Sequence, residues 1–355
     1  MAQAEPQLIA SFEDAAGDAT GPGSYVPPGD TEFTDGDFDL RRFAVYQDGS
    51  DVLFDVTLGA PFRRPAVTQR AQQTEIQLWN NIYLQNIDIY IDTDPSSAAG
   101  HAVCIPGRRV AFPEGRTWKR AVVLTPQPGP ARSITEDALG KAVAAHVIFA
   151  EGLQATGRTI RARVPSIALG GTARKEWAYS VHVSGADWDR SFSVVDRVRG
   201  TRELNAFTMQ VLPVPEAWAF GGAPEGNAHP RVVDVLLPPG ADQKAVLGSF
   251  EAGQFARVPF VSTQSTTAAV AAPKAAPAKP AGRVLSVEYI AGNMVSISGA
   301  VDGLKPMQFG QVLGADGAPV ARVVIVQILE TGIVASAVEN RESIKAGARV
   351  RFEAP

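Results

Sequence analysis

Short stretches in which apolar and polar residues alternate with a period of two recur along the chain. Residues 86–92, with the sequence NIDIYID, are the clearest case. Comparable stretches, rich in aliphatic, aromatic and β-branched side chains, lie at residues 51–58, 120–124, 142–149, 159–165 and 177–183. Such stretches predict β-strands. Gly, Pro, Asp and Ser separate them, which is typical of the turns in a sandwich or barrel.

One short helix interrupts this pattern, at residues 243–250. Asp242 precedes it as the predicted N-cap, and Gly248 is a candidate for its end.

The pattern changes at residues 263–282, which are rich in Thr, Ala, Pro and Lys. This composition cannot form a core and predicts an extended, solvated linker. Strand patterns resume beyond it, at residues 284–290, 294–298, 320–328, 332–338 and 348–352. The prediction is therefore an all-β chain: a large antiparallel β-sandwich at 8–262, the linker, and a small β-barrel at 283–355. Residues 1–7 would precede the first domain.

Composition excludes some function classes. The 355 residues are 45% hydrophobic and 20% charged, with a net charge of −4, so no nucleic-acid partner is expected. The single cysteine, Cys104, cannot form an intrachain disulfide, and no apolar stretch approaches the ~20 residues of a membrane span.

Residues 1–4, MAQA, are similar to the end of a cleaved export signal. We therefore expect a secreted, cell-surface or periplasmic protein; the alternative is a cytoplasmic protein with a disordered N-terminus.

Acidic residues gather near the start of the chain, in a segment rich in Gly and Pro. Asp14 and Asp18 are four residues apart, and Asp30 and Asp39 follow before the next strand. Short carboxylates on a tightly turning loop can converge oxygens on a hard cation, so these residues are a candidate calcium site. The alternative is an acidic turn held by hydrogen bonds from its own backbone.

Short sequence motifs around these features resemble those of the glucodextranase C-terminal domain family. The resemblance spans roughly residues 8–262, and its words include DAAGD at 14–18, IDIYIDTD at 87–94, VPSIALG at 164–170 and VVDVLLPPG at 232–240. It implies a sandwich related to family 9 carbohydrate-binding modules and DOMON domains, with calcium as a cofactor. Members usually have Trp-Asp where this chain has Trp118-Lys119, and residues 61–79 and 186–212 diverge from the family pattern.

Residues 283–355 resemble the small C-terminal barrel of the flagellar assembly protein FlgT. The turn-like segments at 303–309 and 344–347 carry this resemblance. It implies a domain that contacts another envelope protein.

Aromatic side chains are the candidates for contact with a sugar, because apolar faces of pyranose rings pack on exposed aromatic planes. Trp79, Trp188, Trp218 and Tyr25 are the candidate ligand-binding residues, and the first two lie in polar loops. Trp118 and Trp177 begin apolar strands and are predicted to be core residues.

The favoured function is therefore non-catalytic recognition of a polysaccharide or envelope glycan. A second hypothesis is a structural subunit of a surface layer, filament or envelope complex, whose sandwich binds protein. A third is a glycosidase that uses Asp92 and Asp94, since two carboxyl groups are needed and these would lie ~7 Å apart on one strand face. The four histidines show no metal-ligand spacing, and no Met/His pair can be assigned to a haem.

Overall fold

The computed structural model describes residues 5–64, 80–187, 193–195, 202–204, 207–224, 228–251, 254–263, 283–291, 294–298, 304, 309–314, 318–328, 332–339 and 341–352. The all-β prediction is confirmed. The first sheet has the order β1-β2-β3-β9-β8 and is antiparallel throughout. Its strands are β1 (Gln7–Glu13), β2 (Leu40–Asp48), β3 (Asp51–Leu58), β8 (Gln154–Thr156) and β9 (Thr159–Pro165).

A second sheet packs on the first. Its order is β13-β10-β4-β6-β7, and only the β6–β7 pair is parallel among its described strands. The strands are β4 (Gln85–Asp92), β6 (Arg120–Leu124), β7 (Val147–Phe149), β10 (Ala178–Gly185) and β13 (Asp234–Val235). One core cluster joins side chains of the two sheets, including Phe43 and Phe54 from the first and Ile89 and Val181 from the second. This arrangement is a β-sandwich.

The second sheet is also covered on its other face. A second cluster joins Tyr90 and Val123 of that sheet to Ile134 of helix α1 (Pro128–Leu139). Burial on both faces explains why all eight residues of β4 are buried, polar positions included. The remaining short elements are β5 (Val110–Ala111), α2 (Lys141–Ala144), β11 (Ser193–Val195), β12 (Arg202–Leu204), α3 (Gln243–Leu247) and β14 (Ala256–Arg257).

The C-terminal residues form a closed barrel with the order β15-β16-β19-β18-β17-β20. Its strands are β15 (Arg283–Ala291), β16 (Met294–Ser298), β17 (Phe309–Leu313), β18 (Pro319–Ile328), β19 (Gly332–Glu339) and β20 (Arg349–Phe352). Its core cluster draws only on residues between Leu285 and Phe352, so the barrel buries its own interior. Residues 264–282 lie outside the described residues, and the predicted domain boundaries stay a prediction.

Three local expectations differ from the structure. Residues 142–149 are not one strand, because α2 ends at Ala144 and β7 begins only at Val147. Helix α1 was not expected, since Pro128, Gly129 and Pro130 open it; proline is nevertheless tolerated in a first helical turn. Strands β1, β5, β8, β11–β14 and β17 were also not predicted. The short helix α3 is confirmed, with Asp242 accepting a hydrogen bond from the Lys244 amide at 3.0 Å.

Candidate functional site

The acidic loop follows β1 and folds back on the start of β2. The Asp14 amide donates to the Arg41 carbonyl at 3.0 Å, which continues the β1–β2 pairing by one residue. Gly17 has a φ of 79°, and its amide donates to both carboxylate oxygens of Asp39 at 3.1 Å. A left-handed turn at this position favours glycine. The loop is thereby closed between Asp14 and Asp39.

Asp14 and Asp18 meet a third carboxylate, that of Asp234 on β13. One oxygen from each of the three lies within 4.8 Å of the others. Asp234 is fully buried, and its Oδ2 accepts a hydrogen bond from the Leu40 amide at 2.6 Å. Asp14 Oδ2, Asp18 Oδ1 and Asp234 Oδ1 are buried and have no hydrogen-bond partner. We call these three residues the aspartate cluster.

Burial and mutual repulsion make the charged forms of these carboxyl groups unfavourable. The pKa of Asp14 is raised to about 7, first by burial and then by the charge of Asp18. The pKa of Asp234 is raised well above its usual range by burial and by Asp14 and Asp18, and burial also raises the pKa of Asp18. Arg41 lowers the pKa of Asp18 but forms an ion pair with Asp39, at 2.7 Å.

Helix α3 holds the two halves of the cluster together. Its first residue, Gln243, donates from Nε2 to the Asp18 carbonyl and accepts at Oε1 from the Val235 amide at 2.9 Å. The Gly21 amide also donates to the Val233 carbonyl at 2.9 Å. Two segments more than 200 residues apart in the sequence are thus joined by hydrogen bonds on both sides of the carboxylates.

The donor set fits a hard divalent cation. Calcium takes six to eight oxygen ligands from carboxylates, carbonyls and water, and it does not require soft ligands. Three carboxylates with unpartnered, buried oxygens supply the charge, and such oxygens are costly without a partner. Asp14, Asp18 and Asp234 would hold the ion.

Of the four predicted metal ligands, Asp14 and Asp18 are in the cluster, and Asp30 and Asp39 are not. Asp30 caps its own turn, accepting at Oδ1 from the Glu32 amide at 3.0 Å. Both oxygens of Asp39 accept from Gly17, and Asp39 pairs with Arg41. Sequence reasoning missed Asp234. The available signal was its position as the only acidic residue in the apolar run from Val232 to Leu237.

The sugar-stacking candidates differ in their placement. Trp79 and Trp188 lie outside the described residues. Trp218 is half-buried and packs edge-on against Phe33, with ring centroids 4.8 Å apart. Tyr25 is buried, and its hydroxyl donates to the Pro230 carbonyl. The Tyr25 ring therefore holds the loop in the core and offers no exposed face to a sugar. Trp118 and Trp177 are buried, as predicted.

The pair Asp92 and Asp94 does not have the electrostatics of an acid and a base. Asp92 is buried and forms ion pairs with Lys119 at 2.7 Å and Arg116 at 3.4 Å. Asp94 is exposed, and hydrogen bonding from Ser96 lowers its pKa. A glycosidase acid needs a raised pKa, whereas the pKa of Asp94 is lowered and the Asp92 carboxylate is already paired with two cations.

Comparisons with known proteins identify the family of the chain. Among the described residues, none of the helices is both long and apolar enough to cross a membrane. No curated protein matches the chain. The model of one family, described as the SLH-like C-terminal binding-module of glucodextranase, matches residues 9–260, which include both sheets and the aspartate cluster. The chain therefore belongs to the family of glucodextranase C-terminal binding modules.

Proposed function

We propose that this chain is a non-catalytic, calcium-stabilised module that binds a polysaccharide or envelope glycan at the cell surface or in the periplasm. Membership of a binding-module family over residues 9–260 carries the proposal, because it covers the whole sandwich. The calcium, the glycan and the location are the finer parts of the proposal, and each has its own support.

The support for calcium is the cost of the aspartate cluster without a cation. Three carboxyl groups with raised pKa values and unpartnered oxygens destabilise the folded chain when they are ionised. A bound divalent cation would offset that repulsion and would tie the acidic loop to β13. Its role would be structural, since the hydrogen bonds of Gln243 join Asp18 to β13 beside the cluster.

The support for a glycan face is aromatic. Trp218 is half-buried, and its edge-on contact with Phe33 restrains the indole, which reduces the entropy lost when a sugar packs on it. Trp79 and Trp188 remain candidates from the sequence. The non-catalytic part of the proposal is supported by Asp92, whose charge Lys119 neutralises.

Affinity electrophoresis tests the proposal directly. The full chain is run through gels that contain α-glucans, β-glucans or envelope polysaccharides, each with calcium and with chelator. We expect one polysaccharide to retard the chain, and Trp218→Ala, Trp79→Ala or Trp188→Ala to abolish the retardation. Trp177→Phe is the matched control, because Trp177 is buried and a conservative change there leaves the surface intact. Absence of retardation in every gel would refute glycan binding.

A structural role is the second candidate, and exposed apolar side chains favour it. Val26 is 47% exposed and Val214 is 70% exposed. Their segments are joined by hydrogen bonds from Val26 to Gly221 and from Gly222 to Pro213. These two side chains would add apolar area to a contact with protein, and the barrel at 283–355 would provide a second contact. Self-association at micromolar concentration without glycan binding, weakened by Val214→Ser, would favour this candidate.

A further inference from the structure

Two histidines that are 45 residues apart in the sequence meet at the edge of the second sheet. His101 lies in the loop between β4 and β5, and its backbone exchanges hydrogen bonds with that of Trp118. His146 lies in the turn between α2 and β7, and its carbonyl accepts from the Ala121 amide. Nε2 of His101 and Nδ1 of His146 are 2.8 Å apart. The spacing in the sequence gave no sign of this pair.

The two rings differ in how firmly they are held. The His101 imidazole lies on the indole of Trp118, with ring centroids 4.3 Å apart. Trp118 is fully buried, and its Nε1 donates to the Val103 carbonyl at 2.7 Å. His146 is only partly buried, in a surface turn. Both rings are thus partly buried and hydrogen-bonded to each other, and the His101 ring also rests against buried Trp118.

Both imidazoles are in the neutral form at pH 7, which is the form that binds metal ions. Burial, His146 and Arg120 lower the pKa of His101 to about 4. Burial and Arg120 also lower the pKa of His146. In the hydrogen bond between the rings, one of the facing nitrogens carries a proton. Metal binding would require that proton to move to the other nitrogen of the same ring, with no net release.

The separation of the facing nitrogens indicates the kind of ion. Imidazole nitrogens bind first-row divalent metals at about 2.0–2.1 Å, so two ligands at a right angle lie about 2.8–3.0 Å apart, and two tetrahedral ligands about 3.3–3.4 Å apart. The observed 2.8 Å is an ordinary hydrogen-bond length, and it is also the separation of adjacent corners of a square. Tetragonal nitrogen and oxygen sites favour Cu(II) and Ni(II). We propose that His101 and His146 form a binding site for one Cu(II) or Ni(II) ion, separate from the aspartate cluster.

The rest of the coordination would come from water. Within the described part of the chain, the aspartate cluster is the only group of three or more metal-ligating side chains that converge, so no third protein ligand joins the histidines. Arg120 opposes a cation here, although its guanidinium donates to the carbonyls of Lys119 at 2.7 Å and Ala168 at 3.1 Å. Affinity should therefore rise when Arg120 is replaced by Gln.

Titration of the full chain, without a histidine tag, with Cu(II) tests the proposal by calorimetry and by tryptophan emission. We expect one saturable ion per chain. Emission should be quenched, because Trp118 lies against His101. His146→Gln should lower the affinity at least tenfold, and Lys141→Gln, an exposed change five residues away, should leave it unchanged. Electron paramagnetic resonance should show nitrogen couplings that weaken in His146→Gln.

Two results would overturn the site. One is the lack of any saturable quenching by Cu(II) or Ni(II). The other is equal affinity in the original chain and in His146→Gln, which would place the ion elsewhere. If His101→Gln fails to fold, His146→Gln decides alone, because His146 lies in a turn and is only partly buried.

Discussion

Asp14→Asn distinguishes a cation site from an acidic cluster that holds protons. The pKa of Asp14 is raised to about 7, first by burial and then by Asp18, with Asp39 adding to the repulsion. The unfolded carboxyl group titrates near 3.8. At 1.36 kcal/mol per pKa unit, ionised Asp14 lowers the stability of the cation-free protein by up to about 4 kcal/mol above pH 7.

The sign of the pH dependence follows from proton counting. Between pH 4 and pH 7 the folded, cation-free chain binds more protons at Asp14 than the unfolded chain does. Its stability therefore falls as the pH rises through this window. Asparagine stands in for the neutral acid, so Asp14→Asn in chelator at pH 8 should be more stable than the original chain, by about 2–4 kcal/mol.

Calcium should reverse this order. An ion at 1,000 times its dissociation constant stabilises the original chain by about 4.1 kcal/mol, whereas Asp14→Asn lacks one of the carboxylates and should gain much less. Urea unfolding of each protein at pH 5 and pH 8, with calcium and with chelator, measures the free energy of unfolding in all four conditions. Asp30→Asn is the matched control, because Asp30 lies outside the cluster and the amide oxygen can still cap the Glu32 turn. The reasoning is refuted if calcium leaves the original chain unchanged, or if Asp14→Asn is the less stable protein in chelator.

Three further changes probe the rest of the fold. Lys119→Met leaves buried Asp92 without its ammonium partner at 2.7 Å and should cost about 2–4 kcal/mol in urea unfolding; a loss under 1 kcal/mol would mean that the pair contributes little. Tyr25→Phe removes the hydroxyl that donates to the Pro230 carbonyl and should cost about 1–2 kcal/mol, again by urea unfolding; an unchanged midpoint would contradict this. Burial lowers the pKa of His182 to about 3, so the folded chain keeps it neutral while the unfolded chain gains a proton below 6.5. Stability should fall by about 2.3 kcal/mol from this residue between pH 6.5 and pH 4.5, and His182→Gln should show a correspondingly flatter profile.

Local patterns predicted most of the strands because alternation within a strand reports directly which face is buried. Residues 51–58 and 159–165 match β3 and β9 at both ends. The period-two rule failed where a segment was apolar without alternating. Residues 142–149 contain one turn of helix and three residues of strand, and tertiary packing decides between them. Helix α1 was hidden by the prolines of its first turn.

The candidate site was only half predictable, for a different reason. Asp14 and Asp18 are four residues apart in one loop, so the sequence alone indicated their chemistry. Asp234 joins them only because β13 pairs with β10 and Gln243 reaches the Asp18 carbonyl. Likewise, His101 and His146 meet only because both are hydrogen-bonded to the same stretch of chain. The His101 backbone pairs with Trp118, just before β6, and the His146 carbonyl accepts from Ala121 in β6. Contacts set by sheet order leave no periodic signal in one sequence.

The position of the aspartate cluster links the two halves of the proposed function. The acidic loop continues from Asp18 into Tyr25, which is anchored in the core, and then into Val26, which bridges to Gly221. Gly221 lies three residues after Trp218. A cation bound at the aspartate cluster would order the segment from Asp18 to Tyr25. Through the bridge between Val26 and Gly221, it would also order the loop that carries Trp218, without contacting the glycan. Loss of glycan binding in chelator would accordingly report the order of the loop, because the calcium ligands and the aromatic face are different residues.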